Sequence, residues 1–296
     1  MKKRNLAVVL LATTLLVGCG TTNNGEAQDV QIETQTSQES GATATETPKE
    51  ESTEKEINKV LYDNNGIKAV FTSFNQNGAY GPEIKLQLEN TTEKNITVQV
   101  REVSINGYMM DPIFSEEVGT GKKANGSINF FESDLEENGI EQVNSIELSL
   151  HIFESDSYDT IDDSETIKIV INDVEETKKE VTGQILLDKD GLKVTYKDMV
   201  VDGDGEVSLK VFVENGLDTE ATIQVRDCSV NGFMIDPICS IDVEPGKKAN
   251  DKIGFMSWDL EEQGLEGVAF ETVEFTLHVF NDNGTIMDVP ATINLK

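Results

Sequence analysis

The chain has 296 residues, with 24 Lys and Arg against 55 Asp and Glu and a formal net charge of −31 at pH 7. Such a surface repels phosphate backbones and anionic headgroups, which excludes nucleic acid as a partner. Three cysteines and two histidines leave little material for a thiol- or imidazole-based metal cluster.

The chain opens with MKKRNLAVVLLATTLLVGCG. Lys2, Lys3 and Arg4 form a basic flank, and an apolar run follows from Leu6 to Val17, interrupted only by Thr13 and Thr14. The run falls short of the ~20 residues that cross a bilayer, so residues 1–18 read as an export signal rather than a membrane span. The stretch Leu16-Val17-Gly18-Cys19 resembles the bacterial lipobox. That resemblance implies that Cys19 is diacylated on sulfur, palmitate-type, and becomes the mature N-terminus. The protein is then expected on the outer face of the cell membrane, held there by lipid. Two acyl chains give stable anchoring where one gives marginal binding.

Residues 19–59 are built almost entirely from Thr, Ser, Glu, Gln, Asn, Gly and Ala. Such a composition buries too little apolar area to offset the entropy of ordering, so the segment is expected to be a disordered tether. About forty residues of this kind span roughly 35 Å by flexible-chain scaling.

Beyond the tether the chain repeats itself. VQVREVSINGYMMDPIFSEEVGTGKKAN (98–125) aligns without a gap on IQVRDCSVNGFMIDPICSIDVEPGKKAN (223–250), with 17 identities in 28 positions. The match extends from Asp63 and Gly66, against Asp188 and Gly191, to LSLHIF (148–153), against FTLHVF (275–280). The spacing is 125 residues in the doubled motif and grows by two after the segment DLEE. That period is domain-sized and too long for a solenoid unit. The expected organisation is a first repeat over 60–174, a charged linker over 175–184 and a second repeat over 185–296.

Each repeat reads as short strands. In the first, 66–74, 83–90, 96–105, 108–114, 126–131, 145–153 and 165–171 are rich in β-branched and aromatic residues, and most alternate with a period of two. One helical turn is expected at SDLEENG (133–139), with Ser133 and Glu136 as a capping box and Gly139 as the stop; in the second repeat Asp259 takes the cap. About seven strands in ~110 residues argue for an all-β fold, two tandem immunoglobulin-like β-sandwich domains.

Asn106-Gly107 and Asn231-Gly232 predict type I′ hairpin turns, which need positive φ at both central residues. Asp111-Pro112 and Asp236-Pro237 predict that the following strand ends, bends or changes sheets, because proline lacks the ladder N–H. The apolar parity shifts at Arg101-Glu102 and again at Arg226-Asp227, which predicts a β-bulge in each repeat. Arg101, Asp111, Arg226 and Asp236 are therefore candidate polar groups of a ligand corner, although a purely structural corner needs the same residues. The lysines of GKKAN (121–125 and 246–250) are expected to discourage edge-to-edge pairing, and the motif lacks the spacing of a phosphate loop.

Carboxylates concentrate in ESDSYDTIDDSE (154–165) and DGDGE (202–206). Asp156, Asp159, Asp162 and Asp163, or Asp202, Asp204 and Glu206, are candidate oxygen ligands for Ca²⁺, without the full EF-hand spacing. A solvated loop has the same composition. Cys228 and Cys239 invite a disulfide in an exported protein, but Val103 and Phe114 occupy their positions in the first repeat, which marks them as core sites. His151 and His278 hold matching strand positions of opposite parity to the leucines and are expected on an outer sheet face. No GxSxG, HExxH or CxxC motif is present, so no enzymatic activity is expected.

Lipobox, acidic tether and the doubled NG(Y/F)MxDPI segment together resemble uncharacterised surface lipoproteins of Gram-positive bacteria with immunoglobulin-like domains. The resemblance implies location and fold and assigns no site residue except Cys19. The expected role is non-enzymatic binding, adhesion or structure at the cell surface, with a protein or cell-wall polymer as partner and no cofactor. The alternative is a Ca²⁺-dependent binding module using the acidic loops.

Overall fold

The computed structural model describes residues 55–174 and 181–295. The signal, Cys19, the tether up to residue 54 and most of the linker lie outside the described residues.

In the first repeat the strands are β1 (Lys55–Asn64), β2 (Ile67–Asn75), β3 (Glu83–Asn90), β4 (Ile96–Ile105), β5 (Tyr108–Met109), β6 (Ser115–Val118) and β7 (Lys122–Asn129). A short helix α1 (Glu132–Glu137) precedes β8 (Ser145–Glu154), β9 (Thr160–Asp163) and β10 (Ile167–Val170). The second repeat copies this order with β11 (Gln184–Lys189), β12 (Leu192–Val201), β13 (Val207–Asn215), β14 (Ala221–Val230), β15 (Phe233–Met234), β16 (Ser240–Val243) and β17 (Lys248–Phe255). It closes with α2 (Ser257–Glu262), β18 (Thr272–Asn281) and a single long β19 (Gly284–Asn294) where the first repeat has β9 and β10. The all-β expectation holds. β1 starts at Lys55, ahead of the expected boundary at 60.

Each repeat is a sandwich of two sheets. In the first, β1-β2-β3-β7 faces β10-β8-β4, with β5 and β6 both on the free edge of β4 and β9 sharing the edge of β8. In the second, β11-β12-β13-β17 faces β14-β18-β19, again with β15 and β16 on β14. Alternation builds the interior: β3 (EIKLQLEN) buries every second residue. One buried cluster runs from Ile67 to Ile171 and another from Leu186 to Ile293. The leucines and isoleucines of β8 and β3 are essentially inaccessible, as are Phe71 and Phe255.

The corner forms as its residues dictate. Asn106 and Gly107 have φ of 53° and 78°, and Asn231 and Gly232 have 52° and 85°, the mirror-image turn in both copies. The register slips between Arg101 and Ser104 against β8, and between Arg226 and Ser229 against β18. Glu102 and Asp227 carry the positive φ of those bulges, 53° and 50°. After Pro112 the chain does change sheets: Ile113 bridges Asn129 of β7, and Ile238 bridges Gly254 of β17, before β6 and β16 return to their first partners.

Three expectations need correction. The helices begin one to two residues earlier than their supposed caps: the N-caps are Phe131 and Met256, with no side-chain cap bond, so neither Ser133 nor Asp259 caps. The stops do hold. Gly139 has φ 62°, its N–H donates to the Glu136 carbonyl at 2.9 Å, and the Ile140 N–H donates to the Leu135 carbonyl at 2.7 Å, a Schellman closure. The histidines are also not on an open face. His151 and His278 are buried, with Nδ1 2.5 Å from Asp163 Oδ1 and 2.6 Å from Asp288 Oδ1, and their rings lie against Phe153 and Phe280. The neighbouring strand and the aromatic at the second position along cover them, which period-two counting does not register. The second GKKAN also departs from expectation, at the junction between the repeats.

Candidate functional site: an acidic junction between the repeats

The two repeats are joined by the doubled motif itself. The Asn106-Gly107 turn presents Tyr108 to the start of β17, and one parallel bridge, Tyr108 to Lys248, runs the two sheets into one ten-stranded sheet. The Lys248 N–H donates to the Gly107 carbonyl at 2.9 Å. The Lys248 ammonium sits 5.1 Å from the centre of the Tyr108 ring, and that ring lies 6.3 Å from Phe212. Met109 packs on the hydrophobic cluster of the second repeat.

Polar pairs surround this contact. Lys247 and Glu147 form a short, mostly sequestered ion pair, and Lys168 adds a second cation to Glu147 at 3.1 Å. Burial raises the Glu147 carboxyl, but the two lysines outweigh it and hold the group below its usual value. Lys210 pairs with Glu137 at 2.8 Å, and Asn250 Nδ2 donates to Asn138 Oδ1 at 2.8 Å. GKKAN of the second repeat therefore invites an edge contact instead of discouraging one, because Glu147 of the first repeat meets Lys247 and the Tyr108 ring meets Lys248.

Beside the junction lies an open cleft of about 660 Å³. Eight carboxylates line it: Glu102, Asp111, Asp134, Glu137, Glu220, Asp242, Glu244 and Asp251. The bulge at Glu102 turns that side chain into the cleft, and the Asp-Pro bend delivers Asp111. Glu244 shows the electrostatic outcome: burial first, then Glu102, Glu220 and Asp242, push its carboxyl up to about 7, against the pull of Lys247. Burial raises Asp251 as well. A cationic group entering here would relieve repulsion already built into the fold. A second cleft, about 570 Å³ between the 76–82 loop and α1, has no comparable charge.

The candidate residues are dispersed by the fold. Asp111 lines the cleft, whereas Asp236, its counterpart, does not. Arg101 and Arg226 are exposed at the bulges and, among the described residues, make no ion pair with the aspartate of their corner. Asp202 spends Oδ1 on the N–H groups of Asp204 and Glu206, both at 2.9 Å, so the DGDGE loop is a self-bonded turn. Asp162 accepts the Tyr62 hydroxyl at 2.5 Å; burial, then the aspartate, drive that phenol upward. Asp156 and Asp159 stay exposed in the β8–β9 loop. Among the described residues no three His, Cys, Asp or Glu side chains gather as a metal site. Cys228 is buried and Cys239 partly buried; both thiols are free, and burial pushes each up to about 12.

Sequence reasoning missed two asparagine staples. Asn90, fully buried, donates to the carbonyls of Lys94 and Val118 and accepts the Thr92 N–H; Asn215 repeats this with Thr219, Val243 and Leu217. Asn106 Oδ1 accepts the N–H groups of Asn144 and Ser145, and Asn231 accepts those of Glu271 and Thr272. Their identity at matched positions in both repeats was the available signal.

No family model matches the chain, and no curated protein does. Among solved structures it is similar to the YadV chaperone (10% identity, TM-score 0.23, 72% of this chain and 92% of that one). It is also similar to a chain of the Salmonella enterica SafA pilin–SafB chaperone complex (13%, 0.23, 71% and 89%). A third likeness is to a Porphyromonas gingivalis W83 protein of unknown function (11%, 0.21, 72% and 91%). At such TM-scores these likenesses carry no functional argument; the β-sandwich reading rests on the strands and cores described above.

Proposed function

We propose that this chain is a non-enzymatic binding protein of the cell surface, lipid-anchored through Cys19, whose acidic inter-repeat cleft receives a cationic segment of a protein or wall-polymer partner. One observation carries the reading. Eight carboxylates face one cleft at the junction, and burial, reinforced by neighbouring carboxylates, pushes Glu244 among them up to about 7. Such an arrangement costs stability in the free protein and is recovered when positive charge arrives.

Calorimetric titration of the full chain with an oligolysine peptide tests this. Salt-sensitive binding is expected, with a loss of about tenfold or more in affinity in the Glu220→Gln, Asp242→Asn, Glu244→Gln triple variant. Binding equally tight in the triple variant would place the site elsewhere. For the anchor, Cys19→Ala should move the protein from the membrane to the medium; retention in the membrane fraction would refute it.

A further inference from the structure

The same motif is covered in one repeat and bare in the other. Tyr108 and Met109 are half-buried against the second repeat, while their counterparts Phe233 and Met234 are 54% and 60% exposed. The receiving edge is likewise used once. Lys247 and Lys248 are engaged at the junction, while Lys122 is exposed and Lys123, among the described residues, pairs with its own neighbour Glu89 at 2.9 Å. From these two vacant halves we infer that the protein associates head to tail, the Gly232-Phe233 hairpin of one molecule docking on the β7 edge of a second copy, as the Gly107-Tyr108 hairpin docks on β17 within the chain.

The chemistry of the internal junction is preserved across the vacant halves. Glu147, which meets Lys247, corresponds to Glu274; this carboxylate is exposed, and the lysine it would meet is Lys122. Glu137 and Lys210 correspond to Glu262 and Lys85, again acid on the hairpin side and base on the edge side. Asn138 and Asn250 correspond to Gln263 and Asn125, still an amide pair.

The backbone is also ready. Glu89 opposes Lys123 and Asn90 opposes Lys122, the register of Glu214–Lys248 in the other repeat. The Asn215 N–H bonds to the Lys247 carbonyl, and Lys248 therefore directs its N–H outward, to Gly107. By the same alternation the Lys123 N–H points away from β3, toward the place where a Gly232 carbonyl would lie.

One difference sets the strength. Phe212, which meets the Tyr108 ring, corresponds to Gln87, so the contact between molecules lacks the aromatic pair and is weaker than the internal one. The net charge of −31 opposes it further. Because the two surfaces differ, the contact is heterologous and extends to chains or rings instead of stopping at a symmetric dimer. A tethered protein confined to a membrane plane meets its copies at high local concentration, where weak contacts count.

Cysteine trapping tests the inference on the full chain carrying Cys19→Ser. Mixing a Phe233→Cys chain with a Lys123→Cys chain should give a cross-linked heterodimer under mild oxidation, since their counterparts Tyr108 and Lys248 are Cα partners. A chain carrying both substitutions should give a ladder. Adding Glu274→Lys to the first chain should lower the yield about tenfold or more through like-charge contact with Lys122, and Lys122→Glu in the second chain should restore it. Lys122, Lys123, Phe233 and Glu274 are all exposed, so folding is not at stake. Absence of the heterodimer overturns the inference. So does equal dimer from Phe233→Cys alone, which would mean symmetric pairing, or a yield indifferent to the charge swap.

Discussion

Thr195 and Asn90 show opposite treatments of a buried polar group. Thr195 is buried, and its hydroxyl has no partner among the described residues; the first repeat carries Val70 at the same position. Thr195→Val keeps the shape and removes the orphaned hydroxyl, so it should stabilise by about 0.5–1 kcal/mol in urea unfolding. Asn90 satisfies its amide completely. Asn90→Ala strands two carbonyls and an amide and should cost about 2–4 kcal/mol at the same midpoint measurement. Asn215→Ala should cost a similar amount, since its partners are the same in kind. A negligible effect at either asparagine would mean that water replaces the staple.

The decisive element is the β4–β5 hairpin with its bulge. Parity counting located the bulge at Arg101-Glu102 and the turn at Asn106-Gly107, because both are local backbone events written in adjacent residues. The same counting placed His151 on the face away from the core leucines but did not show that it is buried there, because its cover comes from β9 and from Phe153, which local alternation does not include. It likewise misread Lys247 and Lys248, whose roles depend on Glu147 and Tyr108, a hundred or more positions away in sequence. Glu147→Ala leaves the mostly sequestered Lys247 without its partner, and should cost about 1.5–3 kcal/mol and loosen the junction. Calorimetry would show it as a lower or split transition, whereas Lys68→Ala, at an exposed pair with Asp63 at 3.1 Å, should change little.

For the whole molecule, charge dominates. Glu244 prefers to be protonated in the fold more strongly than in the unfolded chain, since its carboxyl is pushed up to about 7. The native state therefore binds more protons between the ordinary carboxylate range and about 7, and stability from this group falls as pH rises through that window. Glu244→Gln should be more stable than the parent at pH 8, with the advantage fading toward pH 5; a constant difference would mean that Glu244 is not the titrating group. Raising salt should also stabilise the parent near pH 8, because the net charge of −31 is then screened.

The duplication, the strands, the bulge, the mirror-image turn and the proline-driven sheet switch are all properties of short stretches, and the amino-acid sequence determined them without help from the rest of the chain. What only the tertiary structure decided is that two nearly identical ten-residue motifs lead different lives. One is covered by the neighbouring repeat and helps to wall an acidic cleft, and the other stands open. A motif's own residues set its conformation through backbone sterics, but its burial and charge depend on what folds against it, and within the described residues no edge strand meets Phe233 and Met234 as β17 meets Tyr108 and Met109.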